Sequence, residues 1–374
     1  MNTISLTNIS ADKKTVTYQF EVKGDWKEYF IETEKIQIEF SESMDYVPES
    51  ILAIPFVGAV LPLSWFKDAT IETDQLDKDF YECISPLKNG FIKMIPMLQF
   101  NGDVKVNKTI NNQTSPKKNA MIMFSGGVDA FTTFFRHLEE KPILCTVCGA
   151  DMKLQDQNGW KNIYSLTQKT ADDYDLACVY VKSPFREFLN ETMLNSLIRE
   201  KVHDNFWHAL QHGIGLLSQA APLAYIKNIQ TVYIASSYPK EMIERGKVIC
   251  SSDPRTDNCV KYFGCQVIHD GVEYTRQGKI HYIVEKTKTI KNDILLRVCF
   301  FDQNGLNCCR CEKCCRTILH LVAEGADPNK YGFKWDSQSI KRCKKDMKYR
   351  LIENPTTVKQ SYPVIQKNLK IIKR

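Results

Sequence analysis

Residues 120–141 read AMIMFSGGVDAFTTFFRHLEEK. A short apolar run of strand length meets two glycines and an acid, and DAFTTFFRHLEEK then continues as a helix. The arrangement repeats downstream: ILCTVC (143–148) precedes a helix near 159–173, ACVYV (177–181) precedes a long helical region near 188–227, and TVYIAS (231–236) follows it. Short apolar strands alternating with helices predict an α/β fold on a parallel, doubly wound sheet.

Upstream the pattern changes. In KTVTYQFEV (14–22) and YFIETEKIQIEF (29–40) apolar and polar residues alternate as in a half-exposed antiparallel strand, and DATIETDQL (68–76) reads as another strand. ILAIPFVGAVLPLSWF (51–66) carries two prolines and a glycine and is not expected to form one regular helix. NGDVKVNKTINNQTSPKKN (101–119) is polar and turn-rich, which suits a linker. The expected organisation is an N-terminal β-rich domain over 1–118, an α/β domain over 119–335 and a tail over 336–374.

A chain of 374 residues suits two domains. With 43% hydrophobic and 25% charged residues it reads as soluble and globular, and no stretch offers the roughly 20 uninterrupted apolar residues of a membrane span, so no membrane partner is expected. The start, MNTISLTNISADKK, lacks a basic end followed by an apolar run, so the expected compartment is the cytoplasm. There the 14 cysteines would be reduced, and clustering then points to metal or redox chemistry. Residues 341–374 hold eleven Lys or Arg against Asp346 and Glu353, while the net charge is +6 overall. Such a tail suits RNA or an acidic protein partner; a solvated helix and extension is the plainer reading.

The junction Ser125, Gly126, Gly127, Val128, Asp129 has its own chemistry. Glycines let backbone approach a ligand, and the free amides and positive dipole end of the following helix favour a phosphate. The segment is neither G-x-x-x-x-G-K nor G-x-G-x-x-G, and a tight turn with a capping Ser is the alternative. It resembles the S-G-G-x-D-S loop of the PP-loop ATP pyrophosphatases. That resemblance implies a parallel α/β sheet and cleavage of ATP to AMP and pyrophosphate as a substrate is adenylated. It places Ser125, Gly126, Gly127 and Val128 around the pyrophosphate, with Asp129 near Mg²⁺ and Ser125 and Asp129 as the catalytic pair. The family's last Ser is Ala130 here, so Thr132 or Thr133 is expected to replace its hydroxyl.

The second dense stretch is LRVCFFDQNGLNCCRCEKCCRTILHLVAEG (296–325), with six cysteines. Zinc takes four thiolates in a tetrahedron, and C-x2-C steps turn two sulfurs towards one ion. Cys308, Cys311 and Cys314 give two such steps, and Cys299 completes the set as C-x8-C-x2-C-x2-C. Cys315 falls on one helical face with Ile318, Leu319 and Val322, in a helix ending near Gly325, and is expected to pack inward. Cys309 finds no role. Arg310, Lys313 and Arg316 would offset the charge of a closed, structural Zn²⁺ site. In a PP-loop chain this pattern resembles the 7-cyano-7-deazaguanine synthases, which implies ATP-dependent activation of a deazaguanine carboxylate followed by attack of ammonia. Similar synthase-like proteins occur in bacterial defence and modification systems, some joining a deazapurine to a protein.

Other candidates are weaker. VIHDGVEYTRQGKI (267–280) groups His269, Asp270, Glu273, Arg276 and Lys279, as a ligand site at the sheet edge or as a charged hairpin; Asp253 and Arg255 sit in a proline-marked loop. Gly213 and Gly215 suit helix packing. Cys145 and Cys148 would point to opposite faces of a strand. The expected function is an ATP-dependent carbon–nitrogen ligase that adenylates a carboxylate and passes it to a nitrogen nucleophile. A PP-loop tRNA sulfur transferase and a non-catalytic zinc-knuckle protein binding nucleic acid or a partner are the alternatives.

Overall fold

The computed structural model describes residues 2–113, 119–246, 248–290, 293–299, 304–336, 338–339, 341–343 and 345. Most of the basic tail, from 346 on, thus lies outside the described residues. In chain order the elements are strands β1 (Asn2–Asp12), β2 (Thr15–Lys23) and β3 (Lys35–Phe40), helix α1 (Glu49–Phe66), strand β4 (Ala69–Asp77), helix α2 (Lys78–Met94) and strand β5 (Asp103–Ile110). Then come β6 (Asn119–Met123), α3 (Val128–His137), β7 (Ile143–Cys148), α4 (Gln157–Asp173), β8 (Cys178–Lys182), α5 (Glu191–Val202), α6 (His212–Ile226) and β9 (Ile229–Ala235). Short helices α7 (Lys240–Glu244) and α8 (Pro254–Asp257), strands β10 (Lys261–Tyr262) and β11 (Cys265–Asp270), and helices α9 (Arg276–Thr287) and α10 (Glu312–Ala323) follow.

All these strands join one sheet in the order β10-β11-β9-β6-β7-β8-β3-β2-β1-β4-β5. Strands β11, β9, β6, β7 and β8 run parallel. From β6 the chain adds β7 and β8 on one side and then crosses to place β9 and β11 on the other, so the strand order reverses between β6 and β9. Connections leave the two strand ends in opposite directions there, which opens a crevice at their carboxyl ends.

Side chains alternate across the sheet as a strand period of two requires. Ala120, Ile122 and Phe124 pack with α3, α9 and α10, while Met121 and Met123 pack on the opposite face with α1 and α6. The described residues before 119 share this one sheet. Strand β3 pairs antiparallel with β8, Glu39 opposite Lys182 and Phe40 opposite Val181, and the N-terminal strands share an apolar cluster with α6 and β9. The expected linker also contains structure, since β5 pairs in parallel with β4.

Helix α1 corrects the reading of 51–66: it is continuous through Pro55 and Pro62. The prolines are two turns apart and fall on one side, and the surroundings hold the helix together more strongly than its propensity opposes it. It is buried almost throughout, with Gln219 and Gln211 of the facing chain donating to Pro55 O and Ala59 O at 2.9 Å each. Among the described residues α1 alone is long and apolar enough to cross a membrane, and 89% of it is buried inside the fold. Gly58 marks its crossing with α6: a Cβ there would stand 2.3 Å from Ser218 Cβ. Gly58→Ala is therefore expected to lower stability by about 1–3 kcal/mol through overpacking, read as a shift in urea midpoint; an unchanged midpoint would show that the helices separate freely.

Candidate active site and metal centre

Strand β6 ends beside the crevice, and Ser125 and the two glycines carry the chain into α3. Gly126 has φ +72°, a left-handed conformation that favours glycine. Gly127 caps α3 without a side-chain acceptor, leaving the first helical amides uncapped. The Ser125 hydroxyl lies 3.4 Å from Gly127 N, a long contact for a cap. From the other side Arg297 N donates to Gly126 O at 2.7 Å, tying the glycine turn to the cysteine-rich segment.

Asp129, in the first turn of α3, meets the first turn of α9. Its Oδ1 is 2.7 Å from Lys279 Nζ and its Oδ2 is 2.9 Å from Arg276 Nη2. Lys279 is 2% exposed and also donates to Ser236 O at the end of β9. Burial would raise the Asp129 pKa, but Arg276, Lys279 and Lys313 outweigh it and hold the carboxyl below its ordinary value. Lys313 and Arg316 come from α10. Burial lowers Lys313 to about 8, and Arg276 and Arg316 repel it while Asp151 and Asp129 attract it. Arg316 is lowered by burial and by Arg276; its Nε reaches Glu312 at 3.3 Å. Arg297 is lowered by burial, and its Nε has no hydrogen-bond partner among the described residues.

Arg276, Lys279, Arg297, Lys313 and Arg316 thus gather, and among the described residues Asp129, Asp151, Asp156, Asp270 and Glu312 are the acids acting on them. Partly desolvated like charges are costly to hold together unless an anion joins them. The uncapped amides of α3 face the same need, so the cleft suits a ligand carrying several negative charges.

The other expected residues go elsewhere. Thr132 is a correction: its hydroxyl donates to Val128 O at 2.9 Å, back along its own helix, and the side chain is buried. Thr133 donates to Asp270 Oδ2 at 2.8 Å, so neither supplies a hydroxyl at the turn. Residues 267–280 are a strand end followed by a helix capped by Thr275, rather than a charged hairpin. Of that group Arg276 and Lys279 reach Asp129. The His269 and Asp257 side chains are fully buried and hydrogen-bonded at 2.7 Å, and Asp253 caps α8 while binding Arg255 Nε at 2.7 Å. Gly213 and Gly215 are packing glycines, facing Asp257 and Phe185.

The sulfurs of Cys299, Cys308, Cys311 and Cys314 all lie within 4.8 Å of one another. Cys299 and Cys311 are 3.7 Å apart and Cys308 and Cys314 are 4.0 Å apart, close to the ~3.8 Å edge of a tetrahedron with metal–sulfur bonds of about 2.3 Å. The four are placed to hold a metal ion such as zinc. Its hydrogen bond with Cys314 lowers Cys311 to about 5, while the same contact raises Cys314. Cys315 packs inward at 1% exposure, as its spacing predicts. Cys309 does have a role: at φ +57° it turns the loop, and its sulfur accepts from Lys334 N at 3.1 Å. Cys311 caps α10, so the helix bearing Lys313 and Arg316 starts from the four-cysteine cluster. Their i, i+3 spacing was a visible signal that both share a helical face. Arg297 had no such signal.

No family model, curated protein or solved structure matches the sequence.

Proposed function

We propose that the chain is an ATP-dependent carbon–nitrogen ligase of the PP-loop type. A carboxylate oxygen attacks the α-phosphorus of ATP, pyrophosphate leaves towards Ser125–Asp129, and a nitrogen nucleophile then takes the acyl group. The convergence of Arg276, Lys279, Lys313 and Arg316 on the first turn of α3 carries this reading, because a departing pyrophosphate concentrates negative charge there. Catalysis is then chiefly positioning and charge neutralisation. Mg²⁺ would enter with ATP, and Asp129 is the carboxylate placed to share it while anchoring the two cations. The four-cysteine centre, read as zinc, is structural because it leaves no open ligand position.

The carboxylate class favoured by the cysteine spacing and the Ser125–Asp129 turn is a 7-deazaguanine carboxylate. Incubation with ATP, Mg²⁺ and 7-carboxy-7-deazaguanine is expected to yield AMP and pyrophosphate. Formation of ADP and phosphate instead, or ATP cleavage indifferent to loss of Asp129, would defeat the reading.

A further inference from the structure

The crevice has a second wall. Helix α6 packs on the opposite face of the sheet from α3 and turns straight into β9, so it runs against the parallel strands and starts at their carboxyl ends. Just before it comes the π-helical turn Trp207–Gln211, a distortion of the helical path that recurs at functional sites. Contacts to the loop after β8 hold this turn at the same edge: Gln211 Nε2 donates to Phe185 O at 3.1 Å, and the Arg186 guanidinium lies 4.3 Å over the Trp207 ring. Ser251 N fastens it again, donating to His208 O at 2.9 Å.

The turn presents His208 to two partners. Its Nδ1 lies 2.6 Å from Asp204 Oδ2, and its Nε2 lies 3.3 Å from the Tyr238 hydroxyl. Burial would lower the His208 pKa, yet its bond to Asp204 leads the groups that bring it up to about 10. An imidazolium donates from both nitrogens, here to the Asp204 carboxylate and to the phenolic oxygen, which leaves the Tyr238 proton for an acceptor outside the trio. Among the described residues no other group bonds that hydroxyl. Burial holds the phenol well above its ordinary pKa, so the proton stays on oxygen. His208 and Asp204 each keep 28% of the side chain open, so the trio is within reach of the crevice. Tyr238 is also tied to the cation wall. Ser236 donates its hydroxyl to Tyr238 O at 2.7 Å, while its carbonyl accepts from Lys279, the partner of Asp129.

We propose that Tyr238 is the hydrogen-bond donor to the acyl oxygen in the carbon–nitrogen bond-forming step, aimed by His208 and Asp204 as positioning residues. The proposal rests on the adenylation reading. The nitrogen nucleophile forms a bond to the carbonyl carbon of the acyl-adenylate, and the carbonyl π pair moves onto oxygen, where the Tyr238 O–H meets it. The pair then returns to re-form the carbonyl, the carbon–oxygen bond to phosphate breaks, and AMP departs with the electrons of that bond. The proton lost by nitrogen goes to solvent water. A donor fixed before the charge develops needs no rearrangement when it appears, and its effect is largest where water is partly excluded. The two walls then act on different atoms: the cations of α9 and α10 meet the phosphates, and the neutral Tyr238 meets the acyl oxygen.

The test separates the two half-reactions of the full-length protein. Exchange of labelled pyrophosphate into ATP, with Mg²⁺ and 7-carboxy-7-deazaguanine but no ammonia, reads adenylation; rapid quench after ammonia is added to the preformed adenylate reads amide formation. In Tyr238→Phe the ratio of amide-formation rate to exchange rate should fall by about a hundredfold, the usual cost of one lost oxyanion donor. A fall in that ratio of less than about tenfold, or loss of exchange together with amide formation, would overturn the proposal. Exchange by the variant also shows that the shared cleft is folded. His208→Gln should lower the same ratio by about tenfold in the wild-type background and not at all in Tyr238→Phe, because it acts through Tyr238; an equal loss in both backgrounds would remove His208 from the array. If wild type catalyses no carboxylate-dependent exchange, the adenylation reading fails and this proposal with it. Wild-type exchange with an intact ratio in Tyr238→Phe defeats this proposal alone.

Discussion

Asp129→Ala is expected to abolish AMP and pyrophosphate formation and to cost about 3–5 kcal/mol of stability, because it leaves the buried Lys279 ammonium without its carboxylate. Arg276 then repels Lys279, with Asp270 left as the acid that acts on it. The double variant Asp129→Ala/Lys279→Met removes both members of the pair, so urea unfolding should show most of the lost stability restored while ATP cleavage stays absent. Recovery of cleavage in the double variant would separate Asp129 from the chemistry; a single-variant loss below about 1 kcal/mol would mean that the pair is effectively solvated. The pair also carries a pH signature. The folded Asp129 pKa is depressed, so its contribution is present above the ordinary carboxylate value and is lost as pH falls through the lower folded value. Wild type should therefore lose stability in acid more steeply than the double variant.

Removal of the metal is the second large effect. Atomic spectroscopy should find one zinc per chain, and a strong chelator, or Cys308→Ser, should release it. Zinc binding contributes about 10–16 kcal/mol in zinc-finger peptides, so its loss is expected to unfold at least the segment around 308–323. Hydrogen exchange read by mass spectrometry would show that segment deprotected. AMP formation should fall with it although the thiols touch no part of the proposed substrate, because α10 begins at Cys311 and carries Lys313 and Arg316. Full activity in a metal-free, deprotected protein would show that those two cations are dispensable.

Local signals carried the parallel strands, α3 and the cysteine tetrahedron, each of which is set by a short stretch of chain. What was illegible depends on distant contacts. The prolines of α1 argue for a break when only neighbours are counted, and the Gln211 and Gln219 side chains that hold the helix lie far along the sequence. Strand β1 hid in a polar sequence in which Ile4 and Leu6 are the buried residues of its first half. The polar strand β5 reads as loop until β4 lies beside it. Lys313 and Arg316 read as neighbours of the thiolates, and it is the packing of α10 on α9, which itself lies against α3, that brings them towards Asp129.

The bond from Arg297 N to Gly126 O sets an order of events during synthesis. A ribosome delivers the glycine turn early and the cysteine segment late, so the emerging chain holds half of its anion site with no partner for Gly126. The turn gains that partner only when the segment around Arg297 has been made, and the cations of α10 arrive with the four-cysteine segment. If the four cysteines hold zinc as proposed, metal supply would decide when the α10 cations take their place beside Asp129.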